Sequence, residues 1–213
     1  MNHQPPTLMD CTEHSPGCGA ELFIVEGDSA AKSVSRLRDA RIQAVLPMQG
    51  KPLNAYRARE ATVAKNALYR SLLTAIGSSD LAPPTKLRYD RIILLFDPDA
   101  DGIHCGVLVL LFFYRWLRPV LDDGKVYILR PPLFEIATSD RQRVQFAYNE
   151  DQYRKLCAEF NDAKYKKHRY RGLGSMNEEV LFETCLNSAT RNLQQLSARD
   201  AELSLAIFGS KPR

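Results

Sequence analysis

The stretch Arg91-Ile-Ile-Leu-Leu-Phe-Asp97-Pro-Asp99-Ala-Asp101-Gly102 decides the fold. Ile92 to Phe96 is apolar at every position, as a strand buried on both faces must be, and such strands belong to parallel sheets. The run feeds directly into three carboxylates on alternate residues, Asp97, Asp99 and Asp101. In open α/β sheets ligands sit at the C-terminal ends of strands, so the acids stand where a ligand belongs. Like charges this close repel and hold each other's protons unless a cation neutralises them. Hard oxygen donors with no Cys or His among them favour Mg²⁺ over Zn²⁺.

Two plainer readings compete. A D-x-D-x-D-G string opens an EF-hand loop, but that loop needs a glutamate at its twelfth position, where Leu108 stands here. A strand rather than a helix also precedes it. The other is a solvated acidic turn with no ligand. Against it stands a second acidic turn, Glu26-Gly27-Asp28-Ser29, directly after another apolar run, Glu21-Leu-Phe-Ile-Val25. If the two strands are neighbours, Glu26 meets the Asp cluster. A metal held by such carboxylates stabilises charge on a phosphate, and Glu26 beside it can act as general acid or base. The chain offers no evident nucleophile.

Outward from these turns, strands alternate with helices, which predicts an α/β sheet over residues 21–140. Residues 1–20 read as an N-terminal arm. Ala30 to Arg38 predicts a helix and Arg41 to Leu46 a strand stopped by Pro47. A Gly50-Lys51-Pro52-Leu53-Asn54 loop follows. Arg57 to Ile76 predicts one helix, about His104 to Leu121 a long apolar one, and Lys125 to Leu129 a strand ended by Pro131-Pro132. Residues 141–213 predict a mainly helical tail. Its features are a polar helix over Glu150 to Asp162, a basic cluster from Lys164 to Arg169, a glycine-punctuated turn at Arg171-Gly-Leu-Gly174, and two or three helices from Asn177 to Phe208.

Composition narrows the class. With 213 residues and 45% hydrophobic residues the chain can bury a real core. A net charge of +4 and a pI near 8.8 permit nucleic-acid binding without demanding it. The longest apolar run, Val107 to Tyr114, is far too short to span a bilayer, and no signal peptide is evident. The five cysteines form no CxxC pair and suggest reduced thiols in the cytoplasm. Cys11, His14 and Cys18 sketch three of the four ligands a zinc site needs.

Five strings together resemble a known family: ELFIVEGDSA (Glu21 to Ala30), QAVLPMQGKPLN (Gln43 to Asn54), DPDADGIH (Asp97 to His104), VYILRPPLFEI (Val126 to Ile136) and YRGLGSMN (Tyr170 to Asn177). The sequence is similar to the B subunits of bacterial type IIA DNA topoisomerases, DNA gyrase or topoisomerase IV, over their Toprim domain and the tail behind it. The resemblance implies a Rossmann-like parallel sheet flanked by helices. It implies Mg²⁺, as one ion or two, held by Glu26, Asp97 and Asp99 with Asp101 in support, the first three being the catalytic acids. It implies double-stranded DNA as partner, contacted by Lys51 and Asn54, and a separate A subunit carrying the nucleophilic tyrosine.

In that family an ATPase region precedes the Toprim domain. None is recognisable in these residues, so no ATP binding is expected in this chain, and the ATPase could be a separate subunit. The chain departs from the family pattern at Ala31 and Lys32, where two glycines are usual, and at Gln49, Pro52, Cys105-Gly106 and Ser175. Two functions stay open. One is a DNA cleavage–religation component working with an A subunit. The other is a stand-alone Toprim module that regulates or binds DNA or a partner without turnover.

Overall fold

The computed structural model describes residues 7–160 and 165–208. Glu21–Glu26 forms β1, and its alternating side chains supply two cores. Leu22 and Ile24 enter one, Phe23 and Val25 the other. Helix α1 (Gly27–Leu37) returns the chain to β2 (Gln43–Met48), parallel to β1 with Glu26 opposite Met48. Pro47, expected to stop this strand, lies inside it. β2 is the sheet's edge, and a proline is tolerated there because one side of an edge strand needs no N–H for the ladder. The N-terminal arm covers that edge in part: Met9 and Val45 exchange both backbone bonds at 2.9 Å.

The single helix expected from Arg57 to Ile76 is two, α2 (Glu60–Lys65) and α3 (Ala67–Ile76). Asn66 divides them. Its backbone leaves the helical region (φ −70°, ψ 120°), and its side chain accepts a hydrogen bond from the Tyr69 N–H at 3.2 Å. Asparagine competes well for such capping positions. Replacing Asn66 with alanine is expected to lower stability by about 1 kcal/mol, read as a shift in the urea midpoint. An unchanged midpoint would mean that the cap contributes nothing.

β3 (Arg91–Leu95) lies parallel to β1 on the side away from β2, with Val25 opposite Leu95. Then come α4 (Ala100–Trp116), α5 (Arg118–Asp122) and β4 (Val126–Leu129), which pairs parallel with β3. The long apolar helix of the sequence is thus two helices that break at Leu117. Because β2 and β3 flank β1 on opposite sides, the winding reverses between β1 and β3. Their C-terminal ends open on the crevice where such sheets bind ligands.

A small antiparallel sheet leads into the tail. β5 (Phe134–Thr138) lies between β6 (Val144–Ala147) and, beyond α6 (Glu150–Glu159), β7 (Tyr165–Arg169). A tight turn at Leu173–Ser175 leads to α7 (Glu178–Leu181), which widens into a π-helical turn over Phe182–Leu186. β8 (Leu193–Gln195) then joins the main sheet antiparallel to β4, and α8 (Ala198–Phe208) packs on α4. The main sheet reads β2-β1-β3-β4-β8. Beyond residue 140 the helices hold more residues than the strands, and the strands β6, β7 and β8 are the addition to the expected helices.

Each face of the main sheet has its own core. On one, α3 and α4 bury Tyr69 stacked on Phe112 at 4.1 Å above Leu22, Ile24, Ile92 and Leu94. On the other, α1 shares the cover of Phe23, Val25, Ile93 and Leu95 with tail residues Tyr170, Leu173, Leu181 and Leu186. The tail is therefore part of the sheet's own core.

A buried polar cluster pins the same union. The Glu21 carboxylate accepts both guanidinium arms of Arg191, together with Gln43 Nε2 and Arg91 Nη1, each of the last two at 3.0 Å. All five cysteines are free. The Cys11 thiol donates to the Glu13 carbonyl and the Cys18 sulfur accepts from the Ser15 N–H, while His14 turns toward Asp10. Among the described residues Cys11, His14 and Cys18 do not assemble a metal site. No helix among the described residues is long and apolar enough to cross a membrane.

Candidate metal centre

Parallel pairing of β1 with β3 delivers Glu26 and Asp97 to the same end of the sheet, on adjacent strands. Both are partly buried. Burial raises the Glu26 carboxyl above its ordinary range, and the charges of Asp97, Asp99 and Asp101 raise it further against the pull of Lys51. Burial likewise raises Asp97, and Asp99 adds to it, while the Leu173 N–H bonded to Asp97 Oδ1 at 2.9 Å pulls the other way.

Asp99 and Asp101 belong to the start of α4. Asp99 caps that helix, accepting the Gly102 N–H at 2.9 Å. Gly102 is required by space, since a Cβ there would overlap the Asp97 carbonyl. Asp101 is exposed, and Lys51 Nζ reaches its Oδ1 at 2.9 Å. That bond holds Asp101 below the usual carboxylate range and raises Lys51. Gln49 reaches back from the same loop to Asp28 Oδ1 at 2.5 Å. Asn54 turns to its own backbone, its Oδ1 accepting the Arg57 N–H at 3.2 Å. So Glu26, Asp97, Asp99, Asp101 and Lys51 gather at one crevice, and Asn54 sits on the loop that carries Lys51.

One part of the site escaped the sequence reading. The turn at Gly172-Leu173 is the seat of Asp97. Gly172 is extended (φ 179°), so its backbone does not demand glycine. Its surroundings do: a Cβ would lie 2.6 Å from Asp97 Oδ2 and 3.0 Å from Cγ. The sequence signal was the pair Gly172 and Gly174, read only as a backbone turn.

Among the described residues, no three His, Cys, Asp or Glu side chains form a preassembled metal cage. Asp101 is engaged by Lys51 and Asp99 by its own helix. The donor chemistry nevertheless fits a hard divalent cation. The groups are all carboxylate oxygens, and burial together with the neighbouring acids raises the two innermost, Glu26 and Asp97, above their ordinary carboxyl range.

A doubly wound sheet with acids at its β1–β3 switch point is the architecture of a Toprim domain, and residues 21–131 match the Toprim domain family model. The chain belongs to the Toprim family. Residues 162–210 match the model of the DNA gyrase B subunit carboxyl terminus, which specifies the region behind that domain. The DNA gyrase B subunit of Thermus thermophilus is 40% identical over 213 residues, which is 96% of this chain and 33% of that protein. The DNA gyrase B subunit of Staphylococcus aureus is 42% identical over 203 residues, 92% of this chain and 31% of that protein. The chain spans about a third of the length of these curated relatives.

Proposed function

We propose that this chain supplies the Mg²⁺-dependent side of a DNA cleavage–religation centre, as the B-subunit part of a type IIA topoisomerase. The observation behind it is the meeting of Glu26 and Asp97 at the ends of two adjacent parallel strands, with Asp99 and Asp101 on the next turn. Glu26, Asp97 and Asp99 hold the metal and form the catalytic set, and Asp101 supports them. When bound, Mg²⁺ as one ion or two stabilises charge on the scissile phosphate and lowers the pKa of the departing or returning oxygen. In the metal-free site burial and the neighbouring acids raise the Glu26 carboxyl above the ordinary glutamate range, and its position beside that oxygen suits it to proton exchange there. Lys51 exchanges Asp101 for a DNA phosphate, and Asn54 contacts the same duplex. The nucleophile is a tyrosine of a separate A subunit. ATP hydrolysis is assigned to residues other than these. Free cysteines suit a cytoplasmic setting.

The test is direct. The chain, mixed with a gyrase A subunit, plasmid and Mg²⁺, is expected to yield covalent A-subunit–DNA complexes trapped by detergent. Asp97→Ala is expected to abolish them. No trapped complex with the wild type, or as much with Asp97→Ala, would overturn the reading.

The Lys51–Asp101 pair favours a second reading, because it occupies one of the acids. In it the chain is a Toprim module that docks on DNA or on an A subunit and regulates without turnover. That reading predicts a change in supercoiling by an intact enzyme that Asp97→Ala leaves unaltered. A change that disappears with Asp97→Ala would exclude it.

A further inference from the structure

The acidic crevice repels the polyanion it is proposed to act on, and Lys51, the cation beside it, is already paired. One lysine that must first leave Asp101 gives little grip on a duplex, and further cations would add to it, since phosphate contacts supply most of the salt-dependent affinity. The small antiparallel sheet holds them. β7 is its edge strand, and Lys166, Lys167, His168 and Arg169 follow one another along it, all exposed.

Register sorts these side chains. Lys166 pairs with Ala137 and His168 with Glu135. They share the face of Glu135, opposite the face where α6 stacks Tyr153 on Phe134 at 4.2 Å. Lys167, opposite Ile136, projects from the other face at the cavity's rim, its ammonium over the rings of Tyr153 and Tyr165. On the Glu135 face Lys166 and His168 line a cavity of about 530 Å³, together with Arg141, Ser175 and Asn177. Its single buried acid is already neutralised: Arg141 Nη1 donates to Glu135 Oε1 at 2.8 Å, and the Tyr170 hydroxyl donates to Oε2. Arg141 achieves this from a left-handed backbone (φ 56°), uncommon for a residue other than glycine. Among the described residues Lys166 and Lys167 have no ion-pair partner. The cavity is thus left with surplus positive charge.

One turn joins this cavity to the crevice. Leu173 holds Asp97 through its N–H, and Ser175 and Met176, two and three residues on, line the basic cavity. We propose that the cavity and its lysine rim are a second phosphate-binding surface, which holds the duplex backbone beyond the point of cleavage. The inference rests on the reading of this chain as a DNA-acting one, but it needs neither the metal nor the A subunit.

The experiment is therefore run without either. A short labelled duplex is titrated with the purified chain in chelator, with KCl varied between about 50 and 200 mM. Lys166→Ala/Lys167→Ala is expected to weaken binding on the order of tenfold. It is also expected to reduce the slope of log affinity on log salt by roughly 2, one phosphate contact per lysine. Lys166→Arg/Lys167→Arg should restore both, which separates charge from folding. Arg154→Ala/Lys155→Ala, the same charge change on α6, should leave the slope alone. The idea is overturned if the alanine pair keeps the wild-type slope, if the α6 pair loses as much, or if the wild type shows no salt-dependent binding. A chain that shows the expected slopes yet fails to cleave with an A subunit sinks the cleavage reading and keeps this one.

Discussion

Replacing Arg191 with alanine is expected to destabilise the fold by about 3–5 kcal/mol, the cost of leaving a buried carboxylate without its partner. The side chains of Arg191 and Glu21 are each only 2% exposed, so their bonds are made away from bulk water. Arg191 gives Glu21 a two-armed clasp and also lies over the Phe23 ring at 5.7 Å. Gln43 and Arg91 remain in the variant, but Arg91 is 43% exposed and supplies one bond. Arg191→Lys should fall between wild type and alanine, because an ammonium cannot reproduce the fork. Urea unfolding at neutral pH measures all three.

Acid adds a second signature. Burial raises Glu21, but the bonds from Arg191, Gln43 and Arg91 outweigh it and leave the carboxyl below its ordinary 4.5. A group depressed in the folded state contributes stability that is complete above its unfolded value and is lost as pH falls through the folded one. The wild type should therefore lose stability on acidification below about 4.5, and Arg191→Ala should show a flatter loss over that window. Parallel acid limbs would mean that Arg191 does not govern Glu21.

Gly172→Ala is expected to act in the opposite way, sparing the fold and damaging the site. Extended backbone accepts alanine without strain. The new Cβ collides with the far end of one side chain, the Asp97 carboxylate, which moves to relieve it. With the acids working as proposed, a displacement near 1 Å costs on the order of 100-fold in cleavage. The melting temperature should barely change, and more Mg²⁺ should be needed for half-maximal cleavage. Wild-type cleavage by Gly172→Ala would show that the seat of Asp97 is dispensable.

What was legible in the sequence followed from burial on both sides. β1 and β3 announce themselves through unbroken apolar runs, Leu22 to Val25 and Ile92 to Leu95, and each run leads into acids whose position at a strand terminus could be read directly. Pairing between the strands had to be supposed, and the sheet supplies it. Polar strands left no such trace. β7 is Tyr-Lys-Lys-His-Arg, which reads as a solvated charge run, and it becomes a strand only because β5 lies beside it. Pro47 misled because a proline forbids a central strand but not an edge, and edge status is a property of the sheet. The clasp of Glu21 by Arg191 spans 170 residues and the seat of Asp97 at Leu173 spans 76. Neither leaves a local pattern, since each partner looks like an ordinary charged or glycine-rich position in its own neighbourhood.

The return of the tail to the main sheet sets an order of events during synthesis. A ribosome releases the chain from its N-terminus, so Phe23, Val25, Ile93 and Leu95 emerge long before Tyr170, Leu173, Leu181 and Leu186, which cover them. β4 likewise waits for β8, and Glu21 waits for Arg191. Until then a nascent chain carries a half-covered apolar sheet and an unmatched carboxylate, the kind of surface that aggregates or recruits chaperones. Completion is consequently late and all at once, and a chain stalled before Arg191 should be a substrate for degradation rather than a smaller folded protein.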